Sequence, residues 1–470
     1  MIRAAATILT KQGERAMTER RPLVFGAILN GVGGAGGAEE LWQHPEVPID
    51  ASSNYEWYIS QAEELEAALF DFILITDGQH VHAKSPHHHL SRLEPITLLS
   101  AIAARTSRIG LVATVSTTYT TPWDIARRLA SLDHISGGRA AWNIVTSYDP
   151  GTAKNFGRSE HSDYEDRYAK AHESVDVVRG LWDSYEDDAF ASSKDADRFL
   201  NPSKLHALDH SGTYFDVAGP LNIARSPQGH PVLVQAGVSE AGRELNGRVA
   251  DVAFSFATSV DWAVSFADDV RARAVSYGRD PEQIMFLPAL GVVISDTNEE
   301  AEELHWQIID RTPYERQFDR LQRQYPTIDL SGLDPEGRLP DFGISAVQAS
   351  NDRLINHGRN ERWTVRRIVR ELQLNSARFW GSPTTVADQI QQWYEAGAAD
   401  GFVLFVGDPE QFRRFAGEVV PELQRRGIYR AEYSGPTLRD QLGLPRPERL
   451  DRATPSQSKD FRQQIASLDT

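Results

Sequence analysis

Five of the chain's 14 histidines fall between residues 80 and 89, in the stretch TDGQHVHAKSPHHHL (76–90). Imidazoles at that density could ligate a metal, carry protons or line a pocket. A lasting transition-metal site needs three or four ligands held rigidly with partners behind them. Adjacent histidines in a Pro- and Ser-containing loop do not converge in that way. The stretch is therefore expected to be a solvated lid and not a metal centre, with His80 or His82 as the residue that could reach a substrate. It starts beside Asp77, which closes the apolar run FDFILIT. Further polar residues sit where apolar runs end: Thr114 and Ser116 in IGLVATVS, Asn143 and Ser147 in RAAWNIVTS. At Asp77 the carboxylate either caps the next turn or meets a ligand. A buried amide needs hydrogen-bond partners, so Asn143 either braces neighbouring strand ends or faces a bound molecule. Ser239 follows PVLVQAGV and opens a helical stretch. That order offers either a plain helix cap or an anion site, where free backbone N–H groups and the helix dipole point the same way. Tyr164 and Tyr168, four apart at a helix start, share one face.

Those positions need elements to hold them. From RPLVFGAILN onward, short β-branched runs alternate with stretches of helical period. Eight strand candidates stand out: LVFGAIL, FDFILIT, IGLVATVS, RAAWNIVTS, PVLVQAG, VAFSFA, IMFLPALGVVI and GFVLFV. Helical segments such as NYEWYISQAEELEAALF and PWDIARRLASLDHIS separate them. The pattern predicts an α/β fold, a (β/α)8 TIM barrel, with a doubly wound sheet as the alternative. Reactive residues of such a barrel lie at the C-terminal ends of its strands, where the polar residues above fall. The glycine-rich GVGGAGGA (31–38) lacks dinucleotide-loop spacing and is expected to be a flexible barrel loop. Residues 1–21 are expected to be a disordered leader and 22–447 a single barrel domain. Long insertions at about 186–228 and 300–380 should lie at the C-terminal face. Residues 448–470 are expected as a polar tail. The segment before it, YRAEYSGPTLRDQLGLPRP, has too many turn residues for a regular element and is expected to pack as an extended arm, with a neighbouring subunit as one surface for it.

Composition narrows the function. Among 470 residues, 40% are hydrophobic and 24% charged, the mix of a globular protein. Lys plus Arg is 49 against 66 Asp plus Glu, a net charge of −17, which disfavours nucleic acid. There is no cysteine, so disulfides, thiolate catalysis and iron–sulfur chemistry are excluded. No apolar run is long enough to cross a bilayer, and the start lacks a secretory apolar segment, so a cytoplasmic location is expected.

Three longer stretches carry a resemblance: GGRAAWNIVTSYDPGTAKNFG, RYAKAHESVDVVRGLWDSYEDDA and KLHALDHSGTYFDVAGPLNIARSPQGHPVLVQAGVSEAGREL. They resemble the flavin-dependent monooxygenases grouped with nitrilotriacetate monooxygenase and dibenzothiophene-sulfone monooxygenase, a branch of the bacterial luciferase-like superfamily. The match runs from about residue 22 to 447. It implies a TIM barrel that takes reduced FMN from a separate NADH-dependent flavin reductase and uses dioxygen as co-substrate. Carried over residue by residue, it implies flavin contacts at Asp77 and Thr114, and phosphate contacts at Tyr164, Tyr168 and Ser239. Tyr164 stands where relatives carry His. Asn143 is taken as the polar pocket residue near the reacting centre. Trp42, His44 and Pro45 match, but the residues just upstream are glycine and alanine where relatives carry polar ones.

No Arg or Lys occurs from residue 22 to 83. That side of the mouth favours a neutral small-molecule substrate, a sulfone or another heteroatom-bearing or halogenated aromatic. Aminopolycarboxylate or alkane oxidation is the alternative within the group. Outside it, a deazaflavin-dependent hydride-transfer enzyme and a non-catalytic ligand-binding barrel are the rivals. A homodimer or homotetramer is expected.

Overall fold

Each β-branched run becomes a short parallel strand, and each helical stretch returns the chain to the start of the next. The computed structural model describes residues 21–33, 41–83, 85, 87–194, 196–325, 328–342, 349–373, 377–405 and 408–449. The strands are β1 (Val24–Leu29), β2 (Phe72–Ile75), β3 (Gly110–Ser116), β4 (Ala140–Val145), β5 (His210–Ser211), β6 (Asp216–Val217), β7 (Val232–Gln235), β8 (Val252–Ser255), β9 (Met285–Ile294), β10 (Ala377–Gly381) and β11 (Gly401–Phe405). In order β1-β2-β3-β4-β7-β8-β9-β11, eight strands form a parallel sheet that closes through β11 onto β1. This is a TIM barrel, and its eight strands are those the sequence pattern marks.

Period-two alternation divides each strand between two cores. Ile28, Phe72, Leu74, Val112, Ala141, Val234, Phe254 and Leu287 fill the barrel. Phe25, Ile73, Leu111, Trp142, Leu233 and Phe402 point outward against the helices. The helices start where capping chemistry allows: Thr121 accepts the Asp124 N–H, and Pro122 occupies the first turn, where a missing N–H costs nothing.

Three features depart from the alternation. β10 is a ninth strand, parallel to the outer end of β9 from Leu290 to Ile294. Its ARFWG sequence lies inside the stretch expected to be insertion, behind polar helices that hide its pattern. The rest of that stretch, so far as it is described, carries its own small core of Leu321, Leu330, Ile355, Ile368 and Val369. Around 186–228 the chain makes an antiparallel excursion ending in the β5–β6 hairpin. The Glu173 carboxylate anchors that hairpin by accepting the backbone N–H groups of Thr213, Tyr214 and Phe215.

The arm near the C-terminus is a correction. It does not reach outward: it folds under its own barrel, where Leu438, Leu442 and Leu444 join the interior core and close the floor. Its Pro- and Gly-rich sequence still supports one helical turn, Leu438–Gln441, because Thr437 and Asp440 form a reciprocal capping box. Arg439 Nη2 lies 2.9 Å from Asp251 Oδ2, and Arg430 pairs with the fully buried Asp71. Residues 1–20 of the leader, 34–40 of the glycine-rich loop and 450–470 of the tail lie outside the described residues.

Candidate active site

Alternation carries polar side chains into the top layer of the barrel. Val112 and Ala141 point inward, so Thr114 and Asn143, two residues on, do the same. They are register partners across β3 and β4, 4% and 6% exposed. Asn143 Nδ2 donates to Thr114 Oγ1 at 2.9 Å, while Asn143 Oδ1 has no partner among the described residues. Asn30 follows inward Ile28 by two residues, is buried and likewise has no partner for its Oδ1 among the described residues. An unmet buried acceptor costs about 1–3 kcal/mol, so two of them under one mouth point to a donor-bearing ligand. Asn30 was not among the expected site residues; its signal was the inward register of β1.

Above this layer lies a cavity of ≈ 280 Å³ whose wall runs from Asp77, Gly78 and His80 across Ser147 and Tyr148 to Tyr168 and Gly237. Asp77 is half-buried beyond the end of β2. Burial pushes its carboxyl up, and nearby Arg92 offsets part of that. Arg92 is held in turn, donating to Thr76 O at 2.8 Å and to His88 O through Nε at 2.8 Å. Ser147 adopts a left-handed φ of 50°, unusual for a side-chain-bearing residue, and donates to Ser116 Oγ at 2.7 Å. Strain of this kind gathers at functional sites.

The far end is built on a helix start. Ser239 caps the Glu240–Val249 helix, accepting the Gly242 N–H at 3.4 Å. The Tyr164 hydroxyl donates to Ser239 Oγ. Tyr164 and Tyr168 rings lie 4.9 Å apart, and the Tyr168 hydroxyl, raised by burial, also bonds toward Ser239. A Cβ on Gly237 or Gly242 would stand 2.6 Å from the other's backbone, so both must be glycine for the helix to meet the β7 turn. Gln235 Oε1 ties that turn, accepting from Gly237 N–H at 2.6 Å and Asn246 Nδ2 at 2.5 Å.

The structure thus brings Tyr164, Tyr168 and Ser239 into contact and sets Asp77 on the same cavity as Tyr168. Thr114 is not on the cavity wall; it lies beneath, bonded to Asn143. The histidine stretch is not a freely solvated lid. His87–Leu90 form one helical turn, and His88 is packed deeply enough that burial drives its imidazole down to about 3. His89 lines the cavity, also lowered by burial and then by Arg92, whereas His82 is exposed. The composition of the stretch suggests solvation, whereas His87 meets Trp42 from a distant part of the chain, ring centroids 6.4 Å apart. Among the described residues no group of three or more potential ligands could hold a metal. No described residue of the 300–380 insertion, expected at the C-terminal face, lines this cavity. No helix among the described residues is long and apolar enough to cross a membrane.

Residues 28–400 match the luciferase-like monooxygenase family. N-acetyl-S-(2-succino)cysteine monooxygenase of Bacillus subtilis (strain 168) is 38% identical over 436 residues, 92% of this chain and 98% of that one. Nitrilotriacetate monooxygenase component A of Aminobacter aminovorans is 39% identical over 424 residues, covering 87% and 94% respectively. A riboflavin lyase solved with modified FMN and the substrate riboflavin superposes with a TM-score of 0.77 at 31% identity, over 90% of this chain and 96% of that one.

Proposed function

The chain belongs to the luciferase-like monooxygenase family, and from that premise we propose that it is the oxygenase component of a two-component FMN-dependent monooxygenase. It works in the cytoplasm as a homodimer or homotetramer, with reduced FMN delivered by a separate NADH-dependent flavin reductase. The observation that carries this reading is a cavity with the half-buried Asp77 carboxylate and Tyr168 on its wall, next to the helix start where Tyr164 meets Ser239.

The residues present fit FMN. Ser239, Tyr164 and Tyr168 would hold its phosphate, since three hydroxyls and free helix N–H groups favour a dianion. Asp77 and the Asn143–Thr114 pair would face the polar edge of the ring system, where the unpaired Asn143 Oδ1 gains a donor. When bound, reduced FMN supplies the two electrons that activate dioxygen. The protein contributes the orientation of the bound ring system against this wall.

The cavity also bears on the substrate. Its wall carries carboxylates at Asp77 and Asp149 and no Lys or Arg among the described residues, and burial keeps His89 neutral. A polyanion meets little attraction there. This supports a neutral sulfone, heteroatom-bearing or halogenated aromatic over an aminopolycarboxylate. The test is product analysis with reduced FMN, the reductase, oxygen and a panel holding both classes. Oxidation confined to nitrilotriacetate-like polyanions would overturn the substrate class, and no flavin binding at all would overturn the activity.

A further inference from the structure

One imidazole on the cavity wall is held at one nitrogen and packed against a glycine. His80, in the loop after β2, places Nδ1 3.0 Å from Asp149 Oδ2, in the loop after β4. Asp149 is fixed in turn, because its other oxygen accepts the Gly151 N–H at 2.8 Å. Burial raises the Asp149 carboxyl, but the bonds from His80 and Gly151 outweigh it and leave it below the ordinary range. The ring lies flat on Gly151. That residue has φ −62° and ψ −24°, a conformation open to any residue, yet a Cβ there would stand 2.3 Å from His80 Cε1 and 2.5 Å from Nε2. Glycine is therefore demanded by the imidazole and not by the backbone. Asn155 Nδ2 donates to Gln79 O at 2.7 Å, so the two loops are already tied together without the His80–Asp149 pair. Both residues line the cavity that also holds Asp77 and Tyr168.

A carboxylate on Nδ1 selects the tautomer with the proton on that nitrogen and leaves Nε2 free to exchange one. We propose that His80, oriented by Asp149, is the proton-transfer residue of the oxygen chemistry in this cavity. The proposal rests on the flavin reading above. Reduced FMN and dioxygen give oxidised FMN and hydrogen peroxide. With an oxidisable substrate, one oxygen atom stays in the organic product and the other leaves as water. In both cases two electrons and two protons come from the flavin, and the departing oxygen must gain protons. His80 Nε2 accepts one proton and returns it to that oxygen, so the imidazole ends unchanged. The titratable groups around it are Asp149, His82, whose ring centroid is 6.0 Å away, and Asp77, His89, Tyr148 and Tyr168 on the same wall.

The test uses the full chain with His80→Gln and Asp149→Asn, and needs no identified substrate. FMN binding measured anaerobically should be nearly equal in all three proteins, which shows that the variants are folded. If the wild type does not bind FMN, the flavin reading and the proposal fall together. With binding intact, the reduced complex is mixed with oxygen and peroxide release is followed across pH and in deuterated water. The wild-type rate should show an ionisation and a solvent isotope effect. In His80→Gln both should vanish, with the rate falling about 100-fold or more. Added imidazole should restore part of the rate to His80→Gly. Independently of turnover, nitrogen NMR of the flavin-free protein should show His80 with its proton on Nδ1, and a tautomer mixture in Asp149→Asn. A His80→Gln protein that binds FMN and keeps the wild-type pH profile and isotope effect would overturn the proposal.

Discussion

Removing the Ser239 hydroxyl separates phosphate recognition from helix capping. Ser239 accepts the Gly242 N–H at 3.4 Å, a long bond, and also accepts the Tyr164 hydroxyl. The lost cap therefore falls at the low end of the usual range, about 0.5 kcal/mol. A hydrogen bond to a charged phosphate contributes about 1.5–3 kcal/mol. At about 1.4 kcal/mol per decade, Ser239→Ala should weaken FMN binding roughly ten- to a hundredfold. Tyr168→Phe should lose a similar amount, because its hydroxyl bonds toward Ser239 at the same helix start. Riboflavin has no phosphate, so its affinity should change little in either variant. Anaerobic fluorescence titration of both flavins against the wild type and both variants gives the comparison. Equal losses for FMN and riboflavin would place the phosphate elsewhere and refute the cradle.

Asp77→Asn should raise the Tm at neutral pH while weakening flavin binding. Burial raises this carboxyl in the folded state, so ionising it costs stability as pH climbs through the folded-state value. The gain should disappear below the ordinary Asp value, where both states hold the proton; a lower Tm at pH 7 would contradict this. Leu438→Ala, in the 0% exposed floor, should cost about 2–5 kcal/mol and leave the flavin affinity of the folded fraction unchanged. An unaltered melting curve would mean that the arm does not close the barrel. Dialysis against a chelator should leave turnover intact; stoichiometric metal lost together with activity would reverse that.

What the chain order alone carries is whatever repeats locally. Eight short apolar runs mark eight barrel strands, and the ends of those runs mark the rim where Asp77, Thr114 and Asn143 fall. Helix starts are legible for the same reason: a cap such as Ser239 acts on N–H groups within its own turn. Tertiary structure decided everything that depends on closure. Tyr164 meets Ser239 across 75 residues, and His80 meets Asp149 across 69. Neither separation leaves a periodic trace, since the barrel brings together the ends of β4 and β7, or of β2 and β4, whatever lies between them. Burial of His88 and His89, the extra strand β10 and the return of the arm to its own floor likewise depend on which surfaces remain once the barrel has closed. A polar or Pro-rich stretch then packs wherever apolar surface is left uncovered, and only the three-dimensional arrangement determines where that is.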